Sequence, residues 1–282
     1  MSVAVVVDSA ASLPTELLEQ HRIEVVPMSL MIGGRTMRDR DISTDELLAR
    51  LDAGEDVSTS GPSPGEFAEA IERGLERAEG VLVLTLSAEM SSTFATAELA
   101  ARMAEGTVRV IDTRSAAGGE GLVALAAARR AAEGATIDEV EATVREVAGR
   151  VRLVATLDSL DHLARSGRVP GIAGVAAHAL HVNPLFEFVD GAAKALHPAL
   201  GQHAAAARIV QRCRTSRPRD VGARLHVAAL DAQATDRARA LVDAVLVDVP
   251  DADWFVGSFG PVMLVHVGPG VSGLAWWWEP VA

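Results

Sequence analysis

The sequence predicts an α/β fold: an N-terminal parallel sheet with helices on both faces, followed by a smaller α+β unit. Three observations support this. Short apolar runs alternate with helical segments up to about residue 150, as strands joined by crossover helices require. Those runs, such as "VAVVVD" and "GVLVLT", are almost continuously apolar, which is the pattern of strands covered on both faces. Near residue 151 the rhythm changes, and the closing strands lie too close together for crossovers. The expected division is 1–155 for the α/β unit and 156–282 for the α+β unit.

Each element has a local reason. "VAVVVDSA" is a buried strand ending at Asp8 and Ser9, and a helix follows from about Pro14. "IEVVPMSLMI" reads as a second strand. Ser43 with Glu46, and Ser63 with Glu66, form capping boxes that start two helices, the second with Pro64 at its first position. "GVLVLT" is a strand, "SSTFATAELAARMA" a helix and "TVRVID" a strand; helices follow near 119–132 and 136–149. "VRLVAT" opens the second unit. The stretch "SLDHLARSGRVPGIAGVAAHAL" is helical but broken by Gly167, Pro170 and Gly171. "PLFEFVDGAAKAL" is a hairpin turning at Asp190-Gly191. A helix over 201–214, the strand "RLHVAAL" and a helix over 233–246 come next. "DWFVGSFG", "VMLVHVG" and "GLAWWWEP" read as closing antiparallel strands, with Trp276–Trp278 in an edge strand of the core.

The chain has 282 residues and a net charge of −12, and all but one of its 26 basic residues are Arg, the exception being Lys194. Nucleic-acid binding needs clustered positive charge, which this composition lacks. The lone Cys213 cannot form an internal disulfide, the start has no signal-peptide character, and no apolar run reaches the ~18 residues of a bilayer span. The expectation is a cytoplasmic globular protein. Several nucleotide and hydrolase signatures fail on geometry. Gly119, Gly121 and Ala124 match a dinucleotide fingerprint but lie too far beyond their strand. A P-loop lacks its Gly-Lys pair, and the sequence around Ser272 is not a nucleophile elbow. His178 and His181 share a helix face without a carboxylate, a poor metal set. No cofactor or metal is expected.

Three clusters remain. Ser91, Ser92 and Thr93 stand where a buried strand hands over to a helix. A helix start carries unpaired N–H groups and partial positive charge, so it caps with a serine or receives an anion. Only one of three hydroxyls can be the cap. Thr59 and Ser60 lie in an expected loop of the kind that lines ligand crevices. His266 ends an expected apolar strand just before Gly268-Pro269-Gly270, a turn that allows close backbone approach. Arg165 and Arg168 flank a Ser-Gly turn, as a solvated loop or a docking site.

The order of these fragments resembles the DegV family of fatty-acid-binding proteins, which includes the FakB subunits of bacterial fatty acid kinase. The resemblance runs through "VVVDSAASLP", "TSGPSPGEF", "LSAEMSSTFATA", "LARSGRVPG", "VNPLFEFVDG" and "HVGPGVSGL", six motifs in one order. It implies a two-domain DegV-like fold with a long-chain fatty acid between the domains and the carboxylate held by Thr59, Ser91 and His266. It also implies a carrier: a separate ATP-dependent kinase subunit would phosphorylate the bound acid, and transient membrane contact fits that role. Arg168 matches the family's Gly-Gly-Arg segment. Ser92 stands where the family has Gly, Phe94 where it has Tyr, and Leu200-Gly201 where it carries Arg-Thr. An enzyme acting on a small acyl or phosphorylated substrate at the same hydroxyls, or a lipid-sensing regulatory module, is the alternative.

Overall fold

A computed structural model describes residues 2–167, 182–219 and 222–280. The chain opens with β1 (Val3–Asp8), α1 (Thr15–His21), β2 (Glu24–Val26), β3 (Ser29–Ile32), β4 (Arg35–Arg38), α2 (Thr44–Asp52) and β5 (Val57–Ser60). It continues through α3 (Pro64–Leu75), β6 (Gly80–Thr85), α4 (Thr93–Met103), β7 (Thr107–Asp112), α5 (Gly118–Ala132) and α6 (Ile137–Arg150). Then come β8 (Arg152–Thr156), α7 (Asp161–Ser166), β9 (Val182–Val189), β10 (Ala192–Leu200), α8 (Gln202–Thr215) and β11 (Arg224–Ala232). The last elements are α9 (Thr235–Leu246), β12 (Asp253–Ser258), α10 (Pro261–Val267) and β13 (Val271–Glu279).

The first sheet is parallel throughout, in the order β2-β1-β6-β7. Every residue of β1 and β6 is buried, because the side chains of alternate residues enter cores on opposite faces. Ala4, Val6, Val81 and Val83 pack with Phe67 and Ile71 of α3 and with Ala97 and Ala100 of α4. Val3, Val5, Val7, Leu82 and Leu84 face α5 and α6. The capping box at Ser63 forms as expected: its Oγ accepts the Glu66 N–H, and Glu66 accepts the Ser63 N–H at 2.9 Å.

The second sheet is mixed, in the order β10-β9-β8-β13-β11-β12. β8 pairs with β9 and β13, so residues just before the expected 155/156 division hydrogen-bond within the later sheet. One face packs on α8 and α9 through Trp276, Trp278, Ile209 and Leu241. Trp276 and Trp278 both donate their indole N–H to Ser216 Oγ, at 2.7 and 3.2 Å. The other face meets the first unit through α5, which is buried almost all round. A helix apolar on every side belongs between two layers. Gly118 permits the closest approach: a Cβ there would lie 2.5 Å from the Ala228 Cβ of β11. Gly118→Ala is therefore expected to destabilise the fold by ~1–3 kcal/mol through overpacking, read as a lower urea midpoint with an unchanged m-value.

Five local expectations change. At Ser43 only half of the capping box forms: its Oγ accepts the Glu46 N–H at 3.1 Å, while the Glu46 carboxylate pairs with Arg50. Pro27 interrupts "IEVVPMSLMI", so β2 joins the parallel sheet and β3 joins a small antiparallel sheet, β4-β3-β5; proline cannot continue a hydrogen-bonded ladder. Thr59 and Ser60, expected in a loop, end β5, where Thr59 pairs with Leu30. "VMLVHVG" is a helix, not a strand: Pro261 occupies its first turn after Gly260, and Gly268 closes it by donating its N–H to Leu264 O at 2.8 Å. A short apolar run does not distinguish strand from buried helix by periodicity. With that helix intervening, β12 runs parallel to β11, and β13 is a central strand, not an edge.

Candidate functional site

A cavity of about 640 Å³ opens between the two sheets. Its walls are mainly apolar: Leu86, Ala116, Ala117 and Met90 from the first unit, and Leu153, Phe186, Phe188, Leu230 and Phe259 from the second. Met28, Met90 and Met263 add unbranched thioether chains that adapt to irregular shapes. The polar lining includes Thr59, Ser60, Ser91, Ser92 and His266.

The loop carrying the serines is tied to the end of β1. Asp8 is completely buried, and its carboxylate accepts N–H bonds from Ala10 and Leu86, each 2.9 Å. Ser87 then anchors the turn: its carbonyl accepts from Met90 N and Ser91 N, and its hydroxyl donates to Gly191 O at the tip of the β9–β10 hairpin. Ser91 follows in the turn, and its Oγ accepts the Thr93 N–H at 3.2 Å and pairs with Thr93 Oγ1 at 2.8 Å. The N-cap position itself belongs to Ser92, which makes no side-chain capping bond and stays exposed. Thr93 is fully buried and supports the rim from behind; it is not part of the cavity wall.

Thr59 arrives from the small antiparallel sheet. Gly61, two residues on, lies against Thr93, where a Cβ would stand 2.6 Å from Oγ1. That absent side chain lets the end of β5 meet the start of α4. His266 comes from the last turn of α10, and its Nε2 lies 2.8 Å from Thr59 Oγ1. The two residues are 207 positions apart in sequence. The Gly-Pro-Gly turn after α10 is approached by the chain itself, not left open. A Cβ at Gly268 would meet the His162 ring at 2.5 Å, and one at Gly270 would meet the Asp158 carboxylate at 2.2 Å. Arg237 locks this turn, with a two-pronged pair to Asp158 at 2.6 and 3.0 Å and a bond to Gly270 O.

Arg165 is exposed on α7 and lines a separate small groove with Asp158, His162 and Pro269. Arg168, His178 and His181 lie outside the described residues. Sequence reasoning missed Asp8 as the anchor of the serine loop and Gly61 as the contact joining the two hydroxyl clusters. It also passed over Glu120, in the first turn of α5. Glu120 is completely buried, and both its carboxylate oxygens are without hydrogen-bond partners among the described residues. Burial, with the charges of Asp8 and Asp112 nearby, holds its carboxyl well above the usual range. Burial likewise pushes Asp8 up to about 7, against the opposing pull of its two N–H bonds.

The chain is similar to known proteins over its whole length. A family model described as "Uncharacterised protein, DegV family" matches residues 2–279. A DegV domain-containing protein of Streptomyces coelicolor is 37% identical over 275 residues, covering 96% of this chain and 97% of that protein. A Thermus thermophilus structure described as fatty acid binding of a DegV family protein superposes with a TM-score of 0.90 at 29% identity, covering 99% of this chain and 100% of that one. A Thermotoga maritima structure described as a DegV lipid-binding protein gives a TM-score of 0.87 at 26% identity, covering 100% of both chains.

Proposed function

The chain belongs to the DegV family, and from that premise we propose that it binds a long-chain fatty acid in the cavity between its sheets. The carboxylate sits at Thr59, Ser91 and His266, with Ser60 and Ser92 at the rim. The observation that carries this is the meeting of Thr59 and His266 at 2.8 Å on the wall of a largely apolar cavity that Ser91 also lines. A buried carboxylate is costly unless its lone pairs are satisfied. Two hydroxyls and an imidazole N–H are donors suited to it once the Thr59–His266 bond is exchanged for bonds to the carboxylate, and bonds to an ionised acceptor are the stronger kind. The acyl chain supplies most of the affinity: ~0.8 kcal/mol per buried CH₂ gives roughly 11 kcal/mol gross for about fourteen of them. Lost freedom on binding offsets a large share of that. The head-group contacts therefore orient the acid more than they hold it.

The finer reading is a carrier role. The protein presents the carboxylate to a separate ATP-dependent kinase subunit, which forms the acyl phosphate; the carrier itself performs no chemistry. Exposed Ser60 and Ser92 beside the head-group position support access from outside. Arg165 and Arg168 are proposed to contact the kinase. The role is a cytoplasmic one, consistent with a buried free thiol at Cys213.

Organic extraction of the purified protein followed by mass spectrometry tests the binding step. A stoichiometric long-chain acid, or saturable uptake of one by stripped protein, is the expected result. Protein that carries none and takes up none overturns the reading.

A further inference from the structure

Beside the main cavity lies a second groove of about 890 Å³, and the two share Leu153 and Phe188. These residues stand on adjacent strands. β8 and β9 pair antiparallel with Val154 opposite Glu187 and Ala155 opposite Phe186, so the register carries Leu153 towards Phe188. Phe186 and Phe188 alternate with Glu187, which turns to the other face and binds Arg212 of α8. On the far side of Phe188 its β10 partner is Ala193, which also lines the main cavity. On this face the two spaces thus meet at one aromatic ring and one leucine, beside Ala193 and Phe186. Leu153 is buried, whereas Phe188 is only half-buried.

The two spaces differ in chemistry. The second groove is lined by Arg114, Arg150, Arg152 and Arg212 together with Glu187 and Asp190, and Arg114 pairs with Asp190, Arg150 with Glu146 and Arg212 with Glu187. Guanidinium groups hold water and offer no favourable place for methylene groups. An acyl chain that crossed the partition would leave an apolar tunnel for a polar one.

We propose that Phe188, backed by Leu153, is the specificity-determining wall of the fatty-acid cavity. It sets the longest acyl chain the protein accepts and requires the chain's far end to be apolar. This rests on the fatty-acid reading above and deepens it, by naming what limits the ligand. Removing the ring opens the cavity towards Arg114 and Arg150; Arg152 and Arg212 lie on the opposite face of the sheet. A longer acid then fits, and one whose far end is a second carboxylate meets guanidinium groups suited to it.

The test is a binding series on stripped full-length protein. Saturated monocarboxylic acids of increasing length, and the matching α,ω-dicarboxylic acids, are titrated into wild type, Phe188→Ala and Phe188→Trp. Wild type is expected to show a sharp length limit and to reject the dicarboxylic acids. In Phe188→Ala the affinity for the acid two carbons past that limit rises ~10-fold, at about one CH₂ of transfer free energy each, and long dicarboxylic acids begin to bind. In Phe188→Trp the limit moves to shorter chains. Circular dichroism and retained binding of a short acid establish that each variant is folded. Folded variants that bind with the wild-type limit overturn the wall. Wild type that binds no fatty acid overturns the fatty-acid reading itself, and the wall with it.

Discussion

Replacing His266 with Ala is expected to weaken binding of a long-chain fatty acid ~10- to 100-fold, the cost of losing a hydrogen bond to an ionised group. The fold should survive, because His266 lies in the last turn of a short helix and Val262 and Leu264 carry that helix's packing. Thr59→Val should weaken binding by a similar factor. The two side chains are bonded to each other at 2.8 Å, so the double variant is expected to lose less than the sum of the two single losses. Isothermal titration of one acid into the four proteins measures this directly. Unchanged affinity in the double variant removes Thr59 and His266 from the head-group site. Ser91→Ala is a less clean probe. Its hydroxyl also accepts the Thr93 N–H and pairs with Thr93 Oγ1, so its loss disturbs the start of α4 as well as the ligand contact.

Stability against pH should show the second large effect, and it arises from two buried acids that do not line the cavity. Glu120 and Asp8 are both completely buried acids whose carboxyls are raised in the folded protein. The native state then favours the protonated form, while the unfolded chain ionises normally. Their contribution is fully present below the unfolded values, 4.5 for Glu120 and 3.8 for Asp8, and is lost as pH rises. For Asp8 the loss runs from about pH 4 to about pH 7, up to ~4 kcal/mol at ~1.4 kcal/mol per pKa unit. For Glu120 the loss likewise begins above pH 4.5 and continues until the buried carboxyl itself ionises. Glu120→Gln keeps the shape and removes the titration. Its stability relative to wild type should therefore grow steadily with pH, with the two proteins closest near pH 4. Urea unfolding at several pH values between 4 and 8 gives the comparison. Parallel curves for the two proteins would show that Glu120 does not titrate differently in the folded state.

Much of the architecture was legible because local patterns and tertiary demands agree. β1 and β6 read as buried strands, and they are buried on both faces. The hairpin at Asp190-Gly191 forms with the expected antiparallel register. Where the sequence misled, the local pattern was degenerate. "VMLVHVG" has apolar residues enough for a strand or a buried helix, and only the packing of α10 against β5 and α7 selects the helix. That choice moved His266 from the end of a strand to the last turn of α10, and with it the direction from which it reaches Thr59.

The sequence by itself determined which segments carry apolar faces, where helices begin, and that hydroxyls gather at the start of α4, because these depend on residues a few positions apart. Only the tertiary structure decided that Thr59 and His266 touch, that Gly61 lets β5 lie on α4, that Asp8 fastens the serine loop, and that Phe188 stands between two cavities. Those relations join residues distant along the chain. They follow from how three sheets and the helix between them pack, which the spacing of residue types along one strand or helix does not encode.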